Sequence, residues 1–522
     1  MPAIYRLSAV TAVLILGGCL DHGGSDSGIP APTAPATPSA PTAATRGQLI
    51  MSPPAKVASY TTATLLGNLG VDGLGKELLT LAYTPLCSID VYQIQYGTVG
   101  SQGEATTASG ALMVPTGSDP ACTGPRPIVL YAHGTTADKT FNIANITATG
   151  NSEGLILAAV FAAQGYIVVA PNYAGYDSST LPYHPYLDAD QQSKDMQDAL
   201  AAASSALPVA TATSVTGNGK VFITGYSQGG FVAMATHRQL QSAGTTVTAS
   251  APMSGPYTLA AFGDAIFMGQ VSTNAPLNVA LLVDSYQHAY ANVYSSPTDV
   301  FESGYAAQVP TLLPSATPIA NIYSTGQLPQ SELFSSTPPT AAYAAMTPAT
   351  TPANLAVIFA QGFGTGDLIN NAFRLAYLQD EAANPDGGFP TVTTGLPTAS
   401  PANTFRLDLK TNDLRNWTPA APLQLCGGDS DPTVFFLNTR LMQTYWTTNS
   451  PTAPVTMVDI DSSADPYSDL KTQFAAAKSL VAANAVIGGA TDGGAEAVLQ
   501  AYHAGLVPPF CLSAAKRFFD TQ

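Results

Sequence analysis

Residues 221–237 read VFITGYSQGGFVAMATH, and no other stretch constrains the fold so sharply. Val221–Thr224 has the apolar, β-branched character of a buried strand, and Phe231–Met234 stays apolar without turn residues. Between them, Gly225-Tyr226-Ser227-Gln228-Gly229 predicts an abrupt strand-to-helix corner with the serine at its apex. Flanking glycines let the backbone take a strained turn without Cβ clashes. Such a turn lifts Ser227 above a sheet edge and sets the next amide at a helix N-terminus.

The surrounding sequence supplies the alternation such a corner needs. Strands are expected at Val91–Tyr96, Ser109–Val114, Pro127–Ala132, Tyr166–Ala170 and Val247–Met253, with helices at Leu155–Gln164, Asp188–Leu207 and after Gly229. Continuous apolar strands separated by helices indicate an α/β fold whose mostly parallel sheet is covered on both faces. From about 263 to 415 that rhythm is lost in a stretch rich in Tyr, Pro, Thr and Ser, with helical pieces at Pro276–Asp284 and Leu368–Glu381. We read this stretch as an inserted, mainly helical cap over the carboxyl edge of the sheet. The sheet rhythm returns at Pro422–Cys426 and Pro454–Ile460, and a last helix is expected from Ser513. The core is therefore divided into 57–262 and 416–522.

The first 19 residues carry Arg6, an apolar run from Leu7 to Leu16, and small residues before Cys19. That run is too short to span a bilayer and reads as an export signal. Leu16-Gly17-Gly18-Cys19 resembles a bacterial lipobox, which implies cleavage before Cys19, lipidation of that cysteine and, with Leu20 next, outer-membrane sorting. Residues 20–56 are dominated by Pro, Ala, Thr, Ser and Gly and read as a disordered tether. Only 10% of residues are charged and the net charge is −16, which excludes an electrostatic grip on nucleic acid. Membrane contact is expected only through the lipid anchor, and the sequence assigns no oligomeric state.

Four cysteines remain in the exported chain, and an oxidising compartment favours two disulfides among three possible connectivities. Cys87 with Cys122 and Cys426 with Cys511 is the expected pairing, because each pair falls in one part of the expected fold. No C-x-x-C spacing supports a metal site.

A serine hydroxyl becomes a nucleophile only beside a general base that a third group orients. Of the six histidines, only His503 lies downstream of both the corner and the resumed sheet, and the order Ser, acid, His suits this kind of fold. The acid is expected in GGDSDPTV, just after the strand Pro422–Cys426. Asp431 is preferred because D-P-T-V follows a D-x-x-V pattern, with Asp429 as the alternative acid. The oxyanion of acyl transfer needs preorganised donors, for which the amides of Gln228 and Thr135 are the candidates.

The ordered set HGTT, VVAPNYAGYDSS, GYSQGG, SAPMSGPY, WTPAAPLQLCGGDSDPTV and a late histidine resembles the α/β-hydrolases, nearest to their secretory lipase and esterase branch. The resemblance spans about residues 85–522 and implies an ester hydrolase that works through an acyl-enzyme without a cofactor. The expected substrate is a small-molecule or lipid ester. A serine peptidase or polyester hydrolase could use the same apparatus, and a non-catalytic binding lipoprotein is the reading outside enzymology. The scarcity of charged residues in the cap favours esters over peptides.

Overall fold

The computed structural model describes residues 44–81, 84–148, 151–464 and 466–522. The expected export signal, Cys19 and the tether up to residue 43 lie outside the described residues. Nine strands form one sheet: β1 (Ala55–Tyr60), β2 (Ser88–Val99), β3 (Ala105–Thr116), β4 (Gly124–Ala132), β5 (Ile167–Pro171), β6 (Val215–Tyr226), β7 (Ala249–Met253), β8 (Leu423–Gly427) and β9 (Val455–Asp459). Their spatial order is β1-β2-β3-β5-β4-β6-β7-β8-β9. From β5 to β9 every neighbouring pair is parallel, whereas β1, β2 and β3 form an antiparallel edge.

Side-chain alternation along the strands builds a core on each face of the sheet. In β4, Leu130 and Ala132 join one apolar cluster while Val129 and Tyr131 join the other. Strands β5, β7 and β8 are buried at every residue, which is why they read as unbroken apolar runs. The helices Ala189–Thr211 and Gln228–Ser242 cover one face, and Ser152–Val160 and Val507–Asp520 the other.

The cap is mainly helical, with Leu259–Phe267, Ala275–Tyr290, Asn371–Ala383 and Thr404–Thr411 as its larger helices. Its first helix starts at Leu259, ahead of the boundary expected at 263. Phe267, Leu282, Phe405 and Leu409 pack in the same cluster as Phe231 and Met234, so cap and sheet share one core.

Two expectations need correction. The tether does not extend to residue 56: Gly47 and Ile50 donate to Gly97 and Gln95 at 2.9 and 2.8 Å, Arg46 pairs with Asp198 at 3.0 Å, and β1 starts at Ala55. The part of β2 beyond its pairing with β1 offers backbone partners that a polar segment can satisfy without any apolar signal. The last helix starts at Val507 rather than Ser513, with Pro508 and Pro509 in its first turn, where a missing N–H costs little. The helices Thr62–Leu69, Gly73–Thr80 and Ser468–Ile487 carried no assignment from sequence.

Both disulfides have the expected pairing, Cys87 with Cys122 and Cys426 with Cys511. The second fastens the end of β8 to the helix Val507–Asp520.

Candidate active site

Strand β6 ends at Tyr226 and the next helix begins at Gln228, so Ser227 alone makes the corner. Its φ of 58° and ψ of −122° lie in a region that residues with a side chain seldom occupy. Close packing imposes the strain. A Cβ on Gly229 would lie 1.9 Å from the Ala132 carbonyl oxygen, and one on Gly225 2.3 Å from that of Gly229. Glycine at both positions lets β4, β6 and the helix converge under the serine.

Three of the residues expected from sequence meet there. Ser227 Oγ lies 2.8 Å from His503 Nε2, and His503 Nδ1 lies 2.7 Å from Asp431 Oδ2. The other Asp431 oxygen accepts the amides of Thr433 and Val434 at 2.9 and 3.0 Å. A buried carboxyl group held by these two amides is fixed in place to orient the imidazole. His503 stands in a π-helical turn, Tyr502–Leu506, between the helices Ala495–Ala501 and Val507–Asp520. Such local widenings recur at functional sites because they re-aim one side chain. Tyr226 Oη donates to the His503 carbonyl oxygen and fixes the turn from below. The disulfide from Cys426 to Cys511 further ties the strand that delivers Asp431 to the segment that delivers His503. Asp429, the alternative acid, instead pairs with Arg440 and is half exposed.

The loop after β4 faces this row. Thr135 lines the same cavity as Ser227 and His503. Neither its amide nor that of Gln228 has a hydrogen-bond partner among the described residues, which leaves two donors for a developing oxyanion. The loop is clamped at successive residues. The His133 ring stacks on Tyr173 at 4.1 Å and contacts the Asn172 carbonyl oxygen at 3.1 Å. Tyr186 meets the Thr135 hydroxyl at 3.0 Å, and Tyr176 donates to the Thr136 carbonyl at 2.7 Å. Burial lowers the His133 pKa to about 4, so the ring is neutral and shapes the loop.

Two residues at this site had no sequence signal. His184 Nε2 accepts from Gln228 Nε2 at 2.7 Å and its Nδ1 donates to the Ala174 carbonyl at 2.9 Å, with burial lowering its pKa to about 3. Glu153 lines the cavity, and burial raises its carboxyl to about 7. His184 lies between aromatic residues and prolines and Glu153 in a helix start, and neither context points toward Ser227. The other histidines among the described residues are elsewhere: His237 bonds Ser250 at 2.7 Å, and His288 stacks on Tyr183 at 3.9 Å.

Two cavities meet at Ser227. One, of about 240 Å³, lies on the His503 side between Leu74, Thr135, Glu153, Ile156 and Pro508. The other, of about 70 Å³, runs under the cap between Gln228, Ile266, Phe267, Leu282, Phe405 and Leu409.

The prolyl oligopeptidase family matches residues 156–298, a span that includes Ser227 but not Asp431 or His503. No curated protein sequence matches the chain. Among solved structures, the rice cell wall degrading esterase LipA from Xanthomonas oryzae is similar at 25% identity and a TM-score of 0.65, covering 91% of this chain and 99% of LipA. A provisionally named hydrolase from Legionella pneumophila is similar in fold, at 19% identity and a TM-score of 0.60, covering 91% of this chain and 97% of its own.

Proposed function

We propose that this chain, a member of the α/β-hydrolase superfamily, is an exported serine esterase that cleaves carboxylic esters through an acyl-enzyme. The observation that carries the reading is the hydrogen-bonded row Ser227, His503 and Asp431 at the junction of two cavities, beside two unpartnered amides. His503 takes the Ser227 proton as the hydroxyl attacks the ester carbonyl, and Asp431 holds the imidazole in the tautomer that accepts it. The oxyanion forms against the amides of Gln228 and Thr135. His503 then protonates the leaving alkoxide, and water activated by the same imidazole releases the acid.

This proton path sorts the cavities. The leaving oxygen must stay within reach of His503, so the alcohol portion belongs in the cavity that His503 lines. The acyl chain takes the narrow apolar cavity under the cap, whose small volume favours short chains. Export is supported by the two disulfides and the apolar leader.

Peptide cleavage is the second reading, favoured by the match to the prolyl oligopeptidase family. Against it, the cap's arginines are all engaged, Arg406 and Arg415 in buried ion pairs and Arg374 with the Met346 carbonyl and the Thr347 hydroxyl. The test is turnover of p-nitrophenyl esters from acetate to palmitate beside dipeptide p-nitroanilides, for the wild type and Ser227→Ala. Turnover of short esters, with a loss of about 10³-fold or more in the variant, is the expected result. Cleavage of the anilides alone would move the assignment to a peptidase, and no turnover by a folded wild type would sink both readings.

A further inference from the structure

Besides the triad, one charged side chain reaches the cavity on the His503 side. Glu153 follows Ser152 at the start of the helix Ser152–Val160, under the loop that carries Thr135. Its Oε1 accepts the Tyr131 hydroxyl at 2.6 Å, and its two oxygens share the Gly134 N–H at 3.1 and 3.2 Å. A carboxylate near a helix N-terminus ordinarily serves the helix itself. Here Asn151 already caps that helix, accepting from the Gly154 amide at 3.1 Å, and both Glu153 oxygens point away to β4 and the loop. Gly134 has no side chain to pack, so only its backbone contacts hold it. Tyr173 Oη donates to the preceding His133 carbonyl at 3.0 Å and His133 Nδ1 lies 2.6 Å from the Gly134 carbonyl oxygen, while the Gly134 N–H goes to Glu153.

We propose that Glu153 is a positioning residue of the oxyanion site: by taking the Gly134 N–H it anchors the His133–Gly134 peptide, from which the next peptide carries the Thr135 amide toward the oxygen that becomes negative on Ser227. The inference rests on the reading of Ser227 as the nucleophile of an acyl transfer. Rotation about the Gly134 backbone once that anchor is lost would turn the Thr135 N–H away, leaving Ser227, His503 and substrate contacts in place while removing one donor from the transition state. Its cost therefore falls on kcat and not on KM.

The test compares wild type with Glu153→Ala, Glu153→Met and Glu153→Gln. Kinetics on p-nitrophenyl butyrate, inhibition by phenylboronic acid and the rate of Ser227 labelling by a fluorophosphonate are each measured. The boronate and the phosphonate both place an oxygen where the oxyanion forms, and labelling needs no ester turnover. Alanine and methionine remove the acceptor, methionine with side-chain length kept. Both are expected to lower kcat by about 10- to 100-fold at nearly constant KM, and to weaken boronate binding and slow labelling by a similar factor. Glutamine keeps a carbonyl oxygen for Gly134 and is expected to stay within about threefold of wild type. Loss of kcat without loss of boronate affinity or labelling rate would overturn the proposal. So would a glutamine variant as poor as alanine, or a folded alanine or methionine variant as fast as wild type. A wild type that labels at Ser227 but hydrolyses no ester would sink the esterase reading alone, since the labelling rates still test Glu153.

Discussion

The strip around Ser227 and the interior of the cap are both buried and polar, but they handle charge in opposite ways. Beside the serine, burial holds His133 and His184 neutral and lifts Glu153 to about 7, while Asp431 is tied to two amides and His503. In the cap, Arg406 bridges Asp264 and Asp380, and Arg415 bridges Asp386 and Asp413, all at 2.7 to 2.8 Å and almost fully buried. A region where charge must appear and vanish during turnover is best built of oriented neutral dipoles, because a stray full charge would bias the intermediates. A region that only has to keep its shape can use permanent charges, provided each is paired or hydrogen-bonded, as the buried Arg374 is by the Met346 carbonyl oxygen at 2.7 Å and the Thr347 hydroxyl at 3.0 Å.

That contrast breaks first at the triad acid. Asp431→Asn should leave the fold intact yet lower kcat by about 10³- to 10⁴-fold, because the amide would hold His503 in the wrong tautomer. Asp429→Asn should stay within about threefold, since its partner is the surface residue Arg440. Equal losses in the two variants would show that the acid has been misidentified.

The cap should respond in the reverse sense. Arg406→Ala would strand Asp264 and Asp380 as buried, unpaired carboxylates, for an expected loss of about 3 to 5 kcal/mol of stability. Well below its melting temperature, such a variant should keep kcat/KM on p-nitrophenyl acetate within about threefold. Denaturant melts and kinetics on one preparation check both halves. A large kinetic loss without loss of stability would mean that the cap's charges take part in the chemistry.

How much of this was legible follows from what burial does to sequence. Strands β5, β7 and β8 are covered on both faces and read as apolar runs, whereas β1, AKVASY, pairs with β2 largely exposed and carries no such signal. The helix Ser468–Ile487 is rich in alanine with only four buried residues, so no apolar stripe marks it. At the site, Ser227 was legible because a strained corner needs glycines, and His503 because histidines are few. The roles of Glu153 and His184 depend on contacts to Gly134 and Gln228, 19 and 44 residues away along the chain, and no local pattern encodes such contacts.

The smallest effect tests the neutral strip through its support. Asp195 lies fully buried beneath the segment that carries Tyr173 and Tyr176, accepting the Tyr96 hydroxyl at 2.7 Å and the Ala174 amide at 2.6 Å. Burial raises its carboxyl to about 7, above the ordinary unfolded value near 3.9. A raised folded pKa gives stability that is complete below the unfolded pKa and is lost as pH rises through about 7. His133, His184 and His237, whose pKa values burial lowers, oppose the trend by about 0.4 kcal/mol each as unfolded histidines lose their protons above about pH 6.5, equally in wild type and variant. The wild type should therefore lose about 1 kcal/mol through Asp195 between about pH 6.5 and 8.5, and Asp195→Asn should flatten the slope by that amount. Glu153 and Asp408, both near 7, add losses of the same sign that the variant keeps. Urea melts across that range measure the difference in slope. Parallel slopes would mean that Asp195 is already ionised in the folded protein at neutral pH, and that the support beneath the site carries full charge as the cap does.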